Sequence, residues 1–253
     1  MLLRAPHLFR SICRKRFTFS RKLCIEASGT ERQPLLLIGL ENVICNYSND
    51  HYKAVSEWCL KHDISVTLPI SDFAQFQGDS IPVSSQQLIK YLNLTNANVS
   101  QMSKEIESIL INHCKFEDTI LYPSVAQVLP TLHAEGYPMA ICTNLSQNMA
   151  EAILDKFELK KYFINITGGD VIPVRKPDPG HVLYTIEMCG DAGRSYDENA
   201  GSHIFMIGGS VNDIKAAQAA NIPIIGITSG YSKVPLENLH PDIIIEKFHE
   251  IPE

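Results

Sequence analysis

Short, almost wholly apolar runs recur along the chain and alternate with amphipathic stretches. Runs of this length between polar or turn residues are typical of strands buried on both faces of a parallel sheet. The apolar runs occupy residues 35–40, 137–142, 162–167, 203–207, 222–227 and 242–245, and the helix-like stretches 125–134, 149–157 and 211–220. A further helix is predicted to begin at Asp178-Pro179, because Asp is a good N-cap and Pro suits the first helical position. This alternation predicts an α/β fold, a doubly wound (Rossmann-like), mostly parallel sheet with helices on both faces.

The pattern changes to helical periodicity between residues 51 and 124. Apolar residues recur there at helical spacing, as Trp58, Leu60, Leu88, Ile89, Leu92, Ile106, Ile109 and Leu110. We therefore expect an α/β core of residues 34–50 and 125–253, interrupted after the first strand by a helical cap of residues 51–124. Residues 190–202 are predicted to form a surface loop, since they are polar and rich in glycine.

Charge is distributed unevenly along the 253 residues. The first 25 residues contain seven bases and no acid, which leaves 15 bases and 28 acids for the remainder. An acidic body argues against a nucleic-acid partner. The basic, acid-free start is typical of a mitochondrial transit peptide, so mitochondrial localisation is predicted; a basic tail on a cytoplasmic protein is the alternative. No apolar stretch approaches the roughly 20 residues that a membrane span requires.

Seven cysteines are widely spaced, without a C-x-x-C pair. Neither a zinc site nor a local disulfide framework is therefore indicated.

Candidate chemistry lies where the predicted strands end, because ligands of parallel α/β sheets bind at the carboxyl ends of the strands. Four such segments stand out: IGLENVI at residues 38–44, ICTN at 141–144, VRKPDP at 174–179 and MIGGSVND at 206–213. In this order and spacing they resemble the four motifs of the haloacid dehalogenase superfamily, most closely its phosphoglycolate phosphatase-like branch with a helical cap. The resemblance extends from about residue 35 to the C-terminus.

The resemblance implies that both acidic parts of the catalytic site are altered. The family's first motif, Asp-x-Asp-Gly-Thr, begins with the nucleophile, and Gly39 occupies that position here, followed by Glu41 in place of the acid–base Asp. Gly39 has no side chain with which to attack phosphorus. In the fourth motif Gly209 replaces a metal-binding Asp, while Asp213 is kept, either as a vestige of the metal site or as part of a capping box with Ser210.

The phosphate-binding residues that the resemblance assigns are all present. Thr143 and Asn144 match the second motif and Lys176 the third. An ordinary Thr at a helix start and a solvated loop lysine are the structural alternatives. With two carboxylates replaced and Lys176 kept, we expect no catalytic residue, no cofactor, no metal site and metal-independent phosphate binding.

Three functions remain open from the sequence. The favoured prediction is a catalytically inactive phosphatase homologue that binds a phosphorylated ligand or joins a larger mitochondrial assembly. The alternatives are an active phosphomonoesterase of the phosphoglycolate phosphatase type that uses Glu41, and a sensor whose cap loop, near Gly78, closes over a phosphometabolite.

Overall fold

The computed structural model describes residues 33–64, 68–73, 76, 79–193 and 204–251. The basic segment 1–25, Gly78 and most of the predicted loop 190–202 lie outside the described residues.

Six parallel strands form the main sheet, in the order β5-β4-β1-β6-β7-β8. Their bounds are β1 Leu35–Ile38, β4 Met139–Cys142, β5 Asn165–Thr167, β6 Ile204–Gly208, β7 Ile224–Ile227 and β8 Ile243–Ile245. The strand β1 lies centrally and pairs with β4 on one side and β6 on the other. This order confirms the predicted doubly wound α/β fold, and it places the residue after β1 in the middle of the ligand-binding edge.

Helices cover both faces of the sheet. They are α5 Val125–Ala134, α6 Gln147–Lys156, α7 Pro179–Met188 and α8 Val211–Ala219. Leu36 and Ile38 of β1 belong to the apolar cluster that α5 and α6 complete, whereas Leu35 and Leu37 belong to the cluster with α7 and α8. Successive side chains of a strand point to opposite faces, so an uninterrupted apolar run is required when both faces are covered.

A helical segment follows the first strand, here called the cap. It comprises α1 Ser48–Lys61, α2 Ile70–Phe73, α3 Ile81–Tyr91, α4 Val99–Ile109 and a π-helical turn Leu110–Cys114. The short strands β2 Cys45–Asn46 and β3 Ile120–Leu121 pair antiparallel where the chain enters and leaves the cap. Among the described residues no helix is long and apolar enough to cross a membrane.

Candidate functional site

Gly39 lies directly after β1, at the centre of the sheet edge. Its N–H donates to the carbonyl of Ile207 at 2.9 Å, which keeps the chain against β6. A Cβ built at this position would lie 3.1 Å from Cγ2 of Val43 and 3.5 Å from Oδ2 of Asp213. The nearest group is the end of a side chain, so packing leaves room for a small side chain at position 39.

Gly209, after β6, is packed far more tightly. A Cβ there would lie 2.4 Å from the carbonyl oxygen of Asn42, and a Cβ at Gly230 would lie 2.5 Å from the Cβ of Asn42. Asn42 is buried and has a positive φ of 63°. The backbone of Asn42 therefore occupies the space next to both glycines, and a side chain at position 209 requires that this backbone move.

Lys176 and Asp213 form a buried ion pair at the strand ends. Their Nζ and Oδ1 atoms lie 2.6 Å apart, with the two side chains 3% and 5% exposed. Lys176 also donates to the carbonyl of Cys142. Burial alone would lower the pKa of Lys176, but the charge of Asp213 and its hydrogen bond raise it overall, so the lysine is charged.

The other carboxylate oxygen of Asp213 is also occupied. Oδ2 accepts from the backbone N–H groups of Gly209 and Ser210, both at 3.1 Å, and from the Ser210 hydroxyl at 2.8 Å. Ser210 in turn caps α8 by accepting from the N–H of Asp213, which completes a capping box. The alternative that Lys176 is an ordinary solvated loop lysine is therefore wrong, because its side chain is buried. Asp213 balances its positive charge.

Thr143 and Asn144 follow β4, where the resemblance assigns them to phosphate. Oγ1 of Thr143 accepts from the N–H of Leu145 at 3.2 Å, and the N-cap of α6 is Ser146. Thr143 is therefore not the capping residue of the helix. The side-chain amide of Asn144 donates to the carbonyl of Lys176 at 2.8 Å, which ties the second and third motif segments together. Contact of these residues with phosphate stays a prediction.

Glu41 lies between the strand ends and the cap. It is half-buried and forms a parallel bridge with Cys45. Burial raises the pKa of the Tyr47 hydroxyl well above its usual value, and the charge of Glu41 raises it further. Glu41 also contributes to the raised pKa of Lys176. Its carboxylate is thus close enough to influence a cap residue and the buried lysine at once.

Six buried polar atoms of the described residues have no hydrogen-bond partner; one is Oγ of Ser85 in the cap, and the other five lie after strands or at the start of the cap. Three belong to loops after strands: Nδ2 of Asn42, Oδ1 of Asn144 and Oγ of Ser229. Two others, the Tyr47 hydroxyl and Nε2 of His51, stand at the start of the cap. Buried polar groups normally have partners, so this set is typical of a cleft that receives a polar ligand.

Polar contacts between the cap and the core include one on each side of β1. Glu107 of α4 accepts from the Ser146 hydroxyl at 2.5 Å, beyond the end of β4. Asp79 accepts from Lys233 at 2.5 Å, beyond the end of β7. Sequence reasoning missed both, because nothing local marks residues that are 39 and 154 positions apart as neighbours.

The residues of the first and fourth motif positions do not reproduce a Mg²⁺ ligand set. Glycine stands at 39 and 209, and both oxygens of Asp213 are held by hydrogen bonds. Within the described residues no group of three or more His, Cys, Asp or Glu side chains could hold a metal ion. Mg²⁺ prefers near-octahedral oxygen ligands, usually including one or two carboxylates. The carboxylates that remain at these positions are Glu41 and Asp213, and that of Asp213 is held by Lys176 and Ser210.

Comparison with known proteins identifies the family. The model of the haloacid dehalogenase-like hydrolases matches residues 37–227. The chain belongs to this family. It is 35% identical over 176 residues to a phosphoglycolate phosphatase of Agrobacterium fabrum, covering 68% of this chain and 70% of the relative. A phosphoglycolate phosphatase of Escherichia coli is 33% identical over 136 residues, 53% of this chain. The chain spans about half the length of this relative and of most others that it matches.

Solved structures share the fold at lower sequence identity. A predicted phosphoglycolate phosphatase from Haemophilus somnus superposes with a TM-score of 0.75 at 24% identity, over 87% of this chain and 96% of that one. CbbY from Rhodobacter sphaeroides, in complex with phosphate, gives 0.72 at 14% identity, over the same shares of the two chains. At these identities the likeness concerns the fold.

Family membership corrects the expectation about cofactors. Haloacid dehalogenase-type phosphatases such as phosphoglycolate phosphatase depend on Mg²⁺, so the sequence-based expectation of no cofactor was wrong for a member of this family. Metal-independent phosphate binding stays a prediction. Mg²⁺ is the cofactor that the family assigns. Glycine occupies positions 39 and 209, to which the resemblance assigns acidic residues of the catalytic and metal site.

Proposed function

We propose that this chain is a phosphate-monoester hydrolase of the phosphoglycolate phosphatase type, in which Glu41 positions a water that attacks phosphorus. The observation that carries this proposal is the placement of Glu41: half-buried, beside the strand ends, and within electrostatic reach of Lys176. The names of the matched relatives support hydrolysis over the non-catalytic function that the sequence favoured. In place of covalent attack from position 39, Glu41 would take a proton from the water as its oxygen bonds to phosphorus. The ester P–O bond would break, and the departing alcohol would receive that proton from Glu41.

Each remaining residue has a role in that reaction. The N–H groups after the strands and the Thr143 hydroxyl would bind phosphoryl oxygens, as donors at such an edge commonly do. Lys176 would hold Asp213 and thereby the loop of Gly209 and Ser210 in place. Because Asp213 already balances its charge, Lys176 would contribute less to phosphate affinity than an unpaired lysine.

The test is turnover of small phosphomonoesters by purified protein with Mg²⁺ present. Wild type is compared with Glu41→Gln, which keeps size and removes the base, and with Glu135→Gln, which changes an exposed carboxylate at the end of α5. We expect Glu41→Gln to reduce kcat at least about 100-fold, the usual contribution of a general base. Equal turnover by all three proteins would indicate a contaminating phosphatase and refute the proposal.

Gly39 favours a second candidate, a homologue that binds a phosphate ester without turnover. Loss of a nucleophile from a site built around it costs on the order of 10⁶ in kcat. A mitochondrial assembly, reached through residues 1–25, would then be the setting of its function. Calorimetric binding of a phosphate ester without any release of phosphate, together with stable partners recovered from mitochondria, would favour this candidate.

A further inference from the structure

Among its described residues, the cap has no buried positive charge. Residues 51–124 include five lysines and no arginine, and the residues of this range outside the described part are all uncharged. All five lysines are exposed. Of the cap histidines, His62 and His113 pair with glutamates on the outside, and burial lowers the pKa of His51 to about 4, which leaves it neutral.

Negatively charged side chains of both the cap and the core lie at the cleft, by which we mean the space between the strand ends and the cap. Glu107 and Asp79 contact the core on opposite sides of β1, and Glu41 follows β1 between them. Lys233 balances Asp79. Glu107 accepts from the Ser146 hydroxyl, and this contact, unlike the pair of Asp79 with Lys233, brings no positive charge to the carboxylate.

An unpartnered hydroxyl points to a ligand in the same place. The Tyr47 side chain is 1% exposed, and its oxygen has no hydrogen-bond partner. Burial raises the pKa of this hydroxyl most, and the charges of Glu41, Asp79 and Glu107 raise it further, so all three carboxylates are within electrostatic reach of it. A buried hydroxyl without a partner is costly, so this group is expected to contact whatever enters the cleft.

The core side offers little to compensate this charge. The charge of Lys176 is balanced by Asp213. Arg175, the neighbouring base, is half-buried and directs its Nε–H to the carbonyl of Gly169, on the β5 side of the sheet. A carboxylate on the organic part of a substrate would therefore enter a region that is already negative.

Resting on the proposed function, we propose that the preferred ligand is a phosphate monoester whose alcohol carries an ammonium group, and that Glu107 selects it against carboxylated esters. The phosphate lies at the strand ends and the ammonium lies beside Glu107 and the Tyr47 hydroxyl. Opposite charges about 6 Å apart at an effective dielectric of about 20 favour the ammonium over a carboxylate by well over tenfold.

Three two-carbon esters test this selection: phosphoethanolamine, ethyl phosphate and phosphoglycolate, which differ mainly in the charge of the group on the second carbon. Affinity is measured by calorimetry, and kcat/KM by phosphate release, with Mg²⁺ present. We expect phosphoethanolamine to bind best, ethyl phosphate next, and phosphoglycolate at least about tenfold more weakly than phosphoethanolamine.

Glu107→Gln keeps the contact with Ser146 and removes the charge, so it should reduce this ratio by roughly tenfold. Glu105→Gln is the matched control on the same helix, because Glu105 pairs with Trp58 and His62 on the outside of the cap and should leave the ratio unchanged. A preference for phosphoglycolate, or an equal effect of both variants, would overturn this inference alone. If none of the three esters bound, the proposed function itself would be refuted.

Discussion

A side chain at position 209 should destabilise the fold far more than one at position 39. The structure gives the reason in two distances. A Cβ at Gly209 would lie 2.4 Å from a backbone oxygen of Asn42, whereas a Cβ at Gly39 would lie 3.1 Å from a methyl group of Val43. A methyl group can turn away, but the backbone of Asn42 is buried and is also packed against Gly230. Relief of the first contact therefore requires a shift of the whole loop.

The expected magnitudes follow from the atoms that must move. A steric overlap that forces the backbone to shift lowers the free energy of unfolding by about 3 kcal/mol. An overlap that a side chain can relieve by rotating lowers it by less than about 1 kcal/mol. We expect Gly209→Ala to lose about 3 kcal/mol of the free energy of unfolding and Gly39→Ala to lose less than about 1 kcal/mol. Urea unfolding followed by circular dichroism and by Trp58 fluorescence measures both. Equal losses, or a stable Gly209→Ala, would refute the reasoning about Asn42.

Three further predictions concern charge and the missing nucleophile. Lys176→Met should cost about 3–5 kcal/mol in urea unfolding because it leaves Asp213 buried without its cation, and adding Asp213→Asn should recover part of the loss; additive losses would contradict the pairing. His51 and His181 have pKa values lowered to about 4 by burial, so below pH 6.5 the unfolded chain binds protons that the folded chain does not. As the pH is lowered from 6.5 to 4, the free energy of unfolding should then fall by about 1.4 kcal/mol per pH unit for each histidine. His51→Phe should remove one such contribution from the pH dependence of the urea midpoint. An unchanged pH dependence in this variant would exclude His51 as a source of the effect. Gly39→Asp should fold but form no phosphoenzyme, measured by trapping with labelled substrate, since position 209 still lacks a carboxylate; stoichiometric labelling would disprove this.

Local patterns predict most of the sheet but not the ends of its strands. The apolar run 35–40 predicts a strand to Leu40, whereas β1 ends at Ile38. After the last bond to β6, from Gly39 to Ile207, the chain turns and the N–H of Ile44 donates back to the carbonyl of Leu40. The turn depends on Asn42 in the left-handed region, which Asn tolerates but does not require. The strands β2 and β3 were missed as a pair because two residues are too few to establish a period.

Site residues could be predicted one by one, but their pairing could not. Ser210 and Asp213 carry the spacing of a capping box, and the structure contains it. Lys176 was expected to bind phosphate. Its ion pair with Asp213 joins residues that are 37 positions apart, and no local sequence pattern indicates it. Tyr47 carried no signal at all, because an aromatic residue at the start of a helix is usually part of the core.

Gly39 and Gly209 therefore differ in whether the surrounding structure could accept a side chain in their place. Position 39 has room for a small side chain, so packing does not require its glycine. Position 209 has no such room, because the backbone of Asn42 fills the space and Gly230 closes it from the other side. A single change to Asp at 39 would bring back a nucleophile into a site whose second acidic position stays closed. The proposed hydrolysis then depends on Glu41, which is why the comparison of Glu41→Gln with Glu135→Gln decides between turnover and binding.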